Sequence, residues 1–162
     1  MLKDAQMATL RVVADDDPEA VGYMQAADDV ALAEWFNTAS TFVVYHTRVE
    51  ESEFTDNLSA DGTSLSWTVF IGRSQGERDG WRAMFQKGWC DPSKANVRQG
   101  FADIFSGGTG AAQRAHMSSI AKRFATRAEH SLAVGTGTTA DPGLLVFEGF
   151  ITFAEASNIR SL

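Results

Sequence analysis

Ser74 and Glu77, Thr126 and Glu129, and Thr152 and Glu155 repeat one spacing that belongs to helix starts. In such a capping box the hydroxyl oxygen accepts from the third helical N–H and the Glu carboxylate reaches back to the N–H of the capping residue. Two donors that the first turn otherwise leaves unpaired are satisfied at once. Apolar residues follow at helical intervals: Trp81, Met84 and Phe85 after the first pair, a short segment through Leu132 after the second, and Phe153 to Ile159 after the third. A chain punctuated in this way is held to a mainly helical fold.

Other segments extend the pattern. Leu2 to Val13 has helical spacing and stops at Asp15-Asp16-Asp17-Pro18; Asp17 then caps a short second helix with Pro18 at its first position, weakened by Gly22. Asp28 or Asp29 opens a helix that Asn37 ends. Asp91-Pro92 opens another, with Val97, Phe101, Ile104 and Phe105 on one face and Ser106-Gly107-Gly108 at its close, and Ala111 to Phe124 forms the next. Thr41 to Val49, rich in β-branched and aromatic residues, predicts a strand. Alternation of Leu65, Trp67, Val69 and Ile71 supports a second strand, although the same stretch also reads as the lead-in to the helix behind it. Leu144 to Phe147 reads as a strand. The expected fold is therefore α+β, mainly α with a small β element: six or seven helices in a single-domain bundle with a short hairpin or sheet. It spans residues 1–162, with an acidic front (1–62), a helical core (73–132), and a loop, strand and closing helix (133–162).

Composition narrows the function classes. One cysteine, Cys90, forms no internal disulfide, and with three histidines it makes no Cys/His zinc site. No apolar run approaches the roughly 18 to 20 residues of a membrane span, and Lys3, Asp4 and Arg11 interrupt the stretch where a signal peptide needs an apolar run. The net charge of -7 conceals a split: residues 1–62 hold thirteen acidic against three basic side chains, and residues 63–162 hold eight against eleven. Opposed regions of this kind suit self-complementary assembly, the acidic front of one copy meeting the basic middle of the next. They suit DNA poorly, since the net charge repels a duplex and the basic residues are not interleaved with aromatics, so sequence-specific nucleic-acid binding is not expected.

Motifs for chemistry mostly fail. Gly72-Arg73-Ser74-Gln75-Gly76 has the letters of a serine nucleophile elbow, but the parallel βαβ succession is missing and the capping box already accounts for Ser74. Gly135-Thr136-Gly137 lacks the Gly-Lys-Ser/Thr ending of a phosphate loop. His46, His116 and His130 have no ligand partners at metal spacing, Cys90 has no identifiable base, and Asp15-Asp16-Asp17 lacks the spaced oxygens and distal Glu of a calcium loop. No catalytic residue, cofactor or metal is expected. The aromatics Trp35, Phe36, Trp67, Trp81, Phe85, Trp89, Phe101 and Phe105 fall at core spacings, and any left exposed become interface anchors.

The runs Asp91-Pro92-Ser93-Lys94-Ala95-Asn96-Val97-Arg98-Gln99-Gly100, Ile104-Phe105-Ser106-Gly107, Ala121 to Glu129, Gly135-Thr136-Gly137-Thr138 and Phe147-Glu148-Gly149 resemble small virion-associated structural proteins of tailed bacteriophages. Ala33 to Asn37 and Val44 to Val49 are similar to the front halves of these proteins, and Glu50 to Gln75 departs most. The resemblance implies a non-enzymatic virion protein assembled in the host cytoplasm, most nearly a head-tail connector. As an adaptor it forms a cyclic homo-oligomer that meets portal and tail proteins. Capsid decoration or minor head protein, tail component, and a non-virion protein acting on host or DNA are the alternatives. The interface expected on this reading uses Lys94, Arg98, Arg123 and Arg127 against acidic surface such as Asp15, Asp16 and Asp17.

Overall fold

All three Ser/Thr–Glu pairs close as capping boxes. The Glu77, Glu129 and Glu155 N–H groups donate to the Ser74, Thr126 and Thr152 hydroxyl oxygens at 3.3, 3.2 and 3.2 Å, and the carboxylates accept the capping residues' own N–H at 2.7, 2.9 and 3.0 Å. The structure is a computed structural model describing residues 1–162. In chain order the elements are α1 (Asp4–Asp15), α2 (Pro18–Ala26), α3 (Asp29–Asn37), β1 (Ala39–Tyr45), β2 (Val49–Glu50), α4 (Glu51–Asp56), α5 (Trp67–Ile71), α6 (Gln75–Met84), β3 (Trp89–Cys90) and α7 (Ala95–Ile104). A 3-10 turn (Gly108–Gly110), α8 (Ala111–Ile120), β4 (Lys122–Thr126), α9 (Arg127–Leu132) and α10 (Phe153–Arg160) complete them. The fold is α+β and mainly helical. Its strands form two two-stranded sheets, β1 with β4 and β2 antiparallel to β3, with Val49 opposite Cys90.

The chain packs as two compact units, Met1–Val44 with Phe124–Leu162, and Tyr45–Arg123. In the first, Leu10, Leu32, Phe36, Ala128, Ile151 and Ile159 are buried together. Arg160 clamps α10 onto α3 by donating to both carboxylate oxygens of Asp29, at 2.6 and 3.2 Å. The Asn37 amide both donates to the Ile151 carbonyl (2.8 Å) and accepts its N–H (2.7 Å), standing in for a strand partner where the backbone has none. In the second unit the core is aromatic: Phe54, Trp81, Phe85, Phe101 and Phe105 are buried with Met117.

Several local expectations change. Residues 67–71 form α5, because the Ser66 hydroxyl caps the Val69 N–H at 3.3 Å and a helical turn packs Val69 and Phe70 on the core. Helix α7 begins at Ala95 and not at Asp91-Pro92. The Asp91 carboxylate takes the Ser93 N–H (3.0 Å) and hydroxyl (2.5 Å) in an Asx turn that delays the start. The helix expected through Phe124 stops at Ile120, and Lys122–Thr126 becomes β4, where pairing with β1 overrides local propensity. Phe124, expected on a buried helical face, is exposed. The strand expected over Thr41–Val49 is split, β1 ending at Tyr45 and β2 starting at Val49. Leu144–Phe147 is not a strand: Leu144 makes a single bridge to Val134. Ten helices stand where six or seven are expected, α4 and α5 filling a stretch read as polar coil or strand.

Carboxylates tied by hydrogen bonds make the fold acid-sensitive. Asp61 accepts from the Ser59 hydroxyl (2.7 Å) and the Thr63 N–H (2.9 Å), which lowers its pKa to about 2. The Arg160 hydrogen bonds lower Asp29, and the Ser74 hydroxyl and N–H lower Glu77. A folded-state pKa below the unfolded one adds stability that is complete above the unfolded value and lost as pH falls through the folded value. The thermal midpoint is therefore expected to fall as pH drops from about 4 to about 2. Asp61→Asn should flatten that fall, as thermal melts across the range would register.

Candidate functional site

The two units differ in charge. The first holds twelve acidic and four basic side chains, a net of -8, and the second nine and ten, a net of +1. The acidic α4 belongs to the second unit, which dilutes the basic block that the linear sequence displays. The residues expected at an interface are partly spent inside the chain. Arg127 lies 4.0 Å from Asp17 and 4.7 Å over the Trp35 ring. Asp17 also caps α2 through the Glu19 and Ala20 N–H groups, and Asp15 pairs with Arg11 at 2.9 Å. Asp16 stays exposed beside Asp17 and Arg127 on the wall of one shallow cavity. Lys94 is exposed and 3.8 Å from Asp91, and Arg123 is half-buried in β4. The structure thus brings Asp16, Asp17 and Arg127 together in the first unit, and Lys94 and Arg98 to the start of α7 in the second.

Arg98 belongs to a more organised site. One guanidinium nitrogen donates to the carbonyls of Pro92 (2.8 Å) and Ser93 (2.7 Å), and the group lies 4.3 Å over the Tyr45 ring. Arg114 is clamped in the same way. One of its nitrogens donates to the Phe105 carbonyl and to that of Gly107 at 3.0 Å, favourable positions for a cation at the end of α7. Both arginines border a cavity of about 310 Å³ with Tyr45, Phe101, Met117 and Ser118. Its wall carries no carboxylate, and neither arginine makes an ion pair. Lys122 stands 6.0 Å over the same Tyr45 ring, and burial followed by the charge of Arg98 pushes its pKa down. Like charges gathered in this way raise the local affinity for an anion. Arg114 and Ser118 share a helix face at i, i+4 spacing, which was open to sequence reading; Tyr45 joins them through the tertiary fold alone.

A different surface lies on the long segment between α9 and α10. Phe42 seals its start: the ring stacks on His130 (centroids 4.4 Å apart) and lies where a Cβ at Gly137 or Gly143 would stand, at 2.0 and 2.3 Å. Gly137, at φ +64°, also needs a conformation that side chains rarely adopt. The Val43 N–H donates to the Gly137 carbonyl and the Gly143 N–H to the Val43 carbonyl, at 2.7 and 2.8 Å, so these glycines serve close packing against β1. On either side of the glycines the segment turns apolar residues to solvent: Val134 before them, Leu144, Val146 and Phe150 (74% exposed) after them and, at the start of α10, Phe153.

No family model, curated protein or solved structure matches the chain. The remaining reactive groups have structural duties. The Ser74 hydroxyl donates to Glu77 at 2.7 Å within its capping box. Burial, then the neighbouring Asp91, pushes the Cys90 thiol up to about 12, which keeps it protonated and unreactive at neutral pH. His116 is fully buried, its Nε2 donating to the Phe54 carbonyl at 2.8 Å. No helix is long and apolar enough to cross a membrane.

Proposed function

We propose that this chain is a structural protein of a tailed-bacteriophage virion, a head-tail adaptor that assembles with copies of itself into a ring and meets portal and tail proteins. The reading is carried by the apolar side chains exposed between α9 and the first residue of α10: Val134, Leu144, Val146, Phe150 and Phe153. Exposed apolar groups on one segment are stabilised by a protein partner. The partner is a second copy, for an electrostatic reason. First units repel one another at -8 each, so an isologous contact through them is disfavoured. A contact from the first unit of one copy to the second unit of the next, at +1, is not opposed by charge. The second unit offers exposed Trp67 and Ile71, one turn apart on α5, as apolar counterparts. Such a contact is heterologous, and when its rotation closes it makes a ring.

The test combines native mass spectrometry and electron microscopy of the purified chain with mass spectrometry of virions. A discrete cyclic oligomer and a fixed copy number in mature particles are expected. Phe150→Asp should raise the concentration for half-assembly at least about tenfold, as the loss of an interface anchor does. A chain that stays monomeric at about 100 μM, far above a specific Kd, and is missing from particles would overturn the reading.

A further inference from the structure

We infer that the groove between the start of α1, residues 147–150 and α10 receives the corner of α5 and α6 from a second copy of this chain, with Trp67 and Ile71 in its apolar part and Arg78 against Asp4. The inference deepens the assembly reading and rests on it. At about 520 Å³ the groove has room for two side chains of that size. Met7, Phe147 and the exposed Phe150 make it apolar; Asp4, Glu148 and Glu155 are its charged side chains, and no basic side chain lines it. Glu155 already accepts the Leu2 and Thr152 N–H groups, both at 3.0 Å, whereas Asp4 stands exposed in the first turn of α1 without an ion pair. A groove of this character takes an apolar anchor with a cation beside it.

Helix α5 supplies that anchor. Trp67 (53% exposed) and Ile71 (66%) lie one turn apart on one face of it. The Trp67 ring rests edge-on against Phe70, centroids 5.7 Å apart, and Phe70 packs on the aromatic core, so the anchor is held before docking and loses little freedom by it. Arg78 donates to the Ile71 carbonyl at 2.6 Å and to that of Arg73 at 2.8 Å, which sets its guanidinium beside Ile71. At this corner Arg73 lies 3.9 Å from Glu77 and Arg82 2.8 Å from Asp79, and Arg78 makes no ion pair. One copy thus offers a carboxylate beside apolar surface on its first unit, and another offers a cation beside apolar surface on its second, the complementarity of a heterologous contact.

The full-length chain with the photo-cross-linker p-benzoylphenylalanine in place of Thr68, exposed beside Trp67, should be assembled from a mixture of isotopically light and heavy copies and irradiated. Cross-links joining a light to a heavy copy, from residue 68 to residues 1–7 or 147–158, are expected. Asp4→Arg and Arg78→Asp should each raise the concentration for half-assembly at least about tenfold, and the two together should restore it to within about threefold of the native chain, because the double change reverses the pair instead of removing it. Should Arg78→Asp fail to fold, the cross-link map still decides. An oligomer whose cross-links from residue 68 fall outside the groove, on α5 of another copy for example, would overturn this pairing and leave the assembly reading standing. So would an Asp4→Arg chain that assembles like the native one. A chain that is monomeric at about 100 μM overturns the pairing too, and its presence or absence in virions then decides the assembly reading.

Discussion

Trp81→Ala is expected to cost about 4 kcal/mol of stability, the scale for deleting a large aromatic side chain from a packed core. Trp81 is 2% exposed, and the rings of Phe54, Phe70, Phe85, Phe101 and Phe105 surround it with centroids 4.7 to 6.5 Å away. No neighbour on these helices can move far enough to fill the space, because each is itself held by another ring of the same cluster. The indole Nε1 also donates to the Glu51 carboxylate at 2.6 Å, tying α6 to α4. Trp81→Phe keeps a ring in the core and drops this donor, so its smaller cost separates packing from the hydrogen bond. Urea unfolding of both variants gives the comparison, and a Trp81→Ala midpoint equal to that of the native chain would mean the aromatic cluster does not hold the second unit together.

Gly110→Ala should destabilise by about 3 kcal/mol or more, at the upper end for overpacking. A Cβ on Gly110 would sit 1.8 Å from the Phe105 carbonyl oxygen and 2.4 Å from its carbon. Both are main-chain atoms, so no rotamer change relieves the overlap and residues 105–110 must shift as a unit. The same carbonyl receives the Arg114 hydrogen bond, and the displacement therefore reaches the cationic cavity as well. Two residues earlier the same substitution is a control. A Cβ on Gly108 meets nothing within 4 Å, and Gly108→Ala should stay within about 0.5 kcal/mol of the native chain, as surface changes do. Melting both variants under one condition tests the pair, and equal midpoints would contradict the close approach at Gly110.

Helix starts are legible where a capping side chain precedes an uninterrupted helical pattern. Ser74, Thr126, Thr152 and Asp17 each satisfy N–H groups two or three residues away, and nothing distant competes with them. The sequence misleads where a distant partner decides, and where a local turn imitates a cap. Lys122–Thr126 continues a helical pattern in the sequence, yet β1, some eighty residues earlier, offers a ladder, and the Ser40 hydroxyl donates to the Ala125 carbonyl at 3.0 Å. Asp91-Pro92 looked like a helix start because the local turn that Asp91 makes with Ser93 uses the same acceptor oxygen a cap would use. Arg98 was legible as a functional candidate through charge alone. Its companions on the cavity wall were not, since Arg114 comes there by the packing of α7 against α8 and Tyr45 from the end of β1.

By itself the sequence determined the helix starts at Asp17, Ser74, Thr126 and Thr152, that the fold is α+β, and that acidic and basic residues are unevenly distributed. These follow from short-range hydrogen bonding, side-chain shape and charge, each readable within a turn or two of the chain. The tertiary structure alone decided that both ends of the chain share one unit and that Asp17 faces Arg127 within it. It also decided that two carbonyl-clamped arginines border one cavity. Those outcomes depend on which apolar faces bury together, a choice made among residues far apart in sequence and left unmarked by any local pattern.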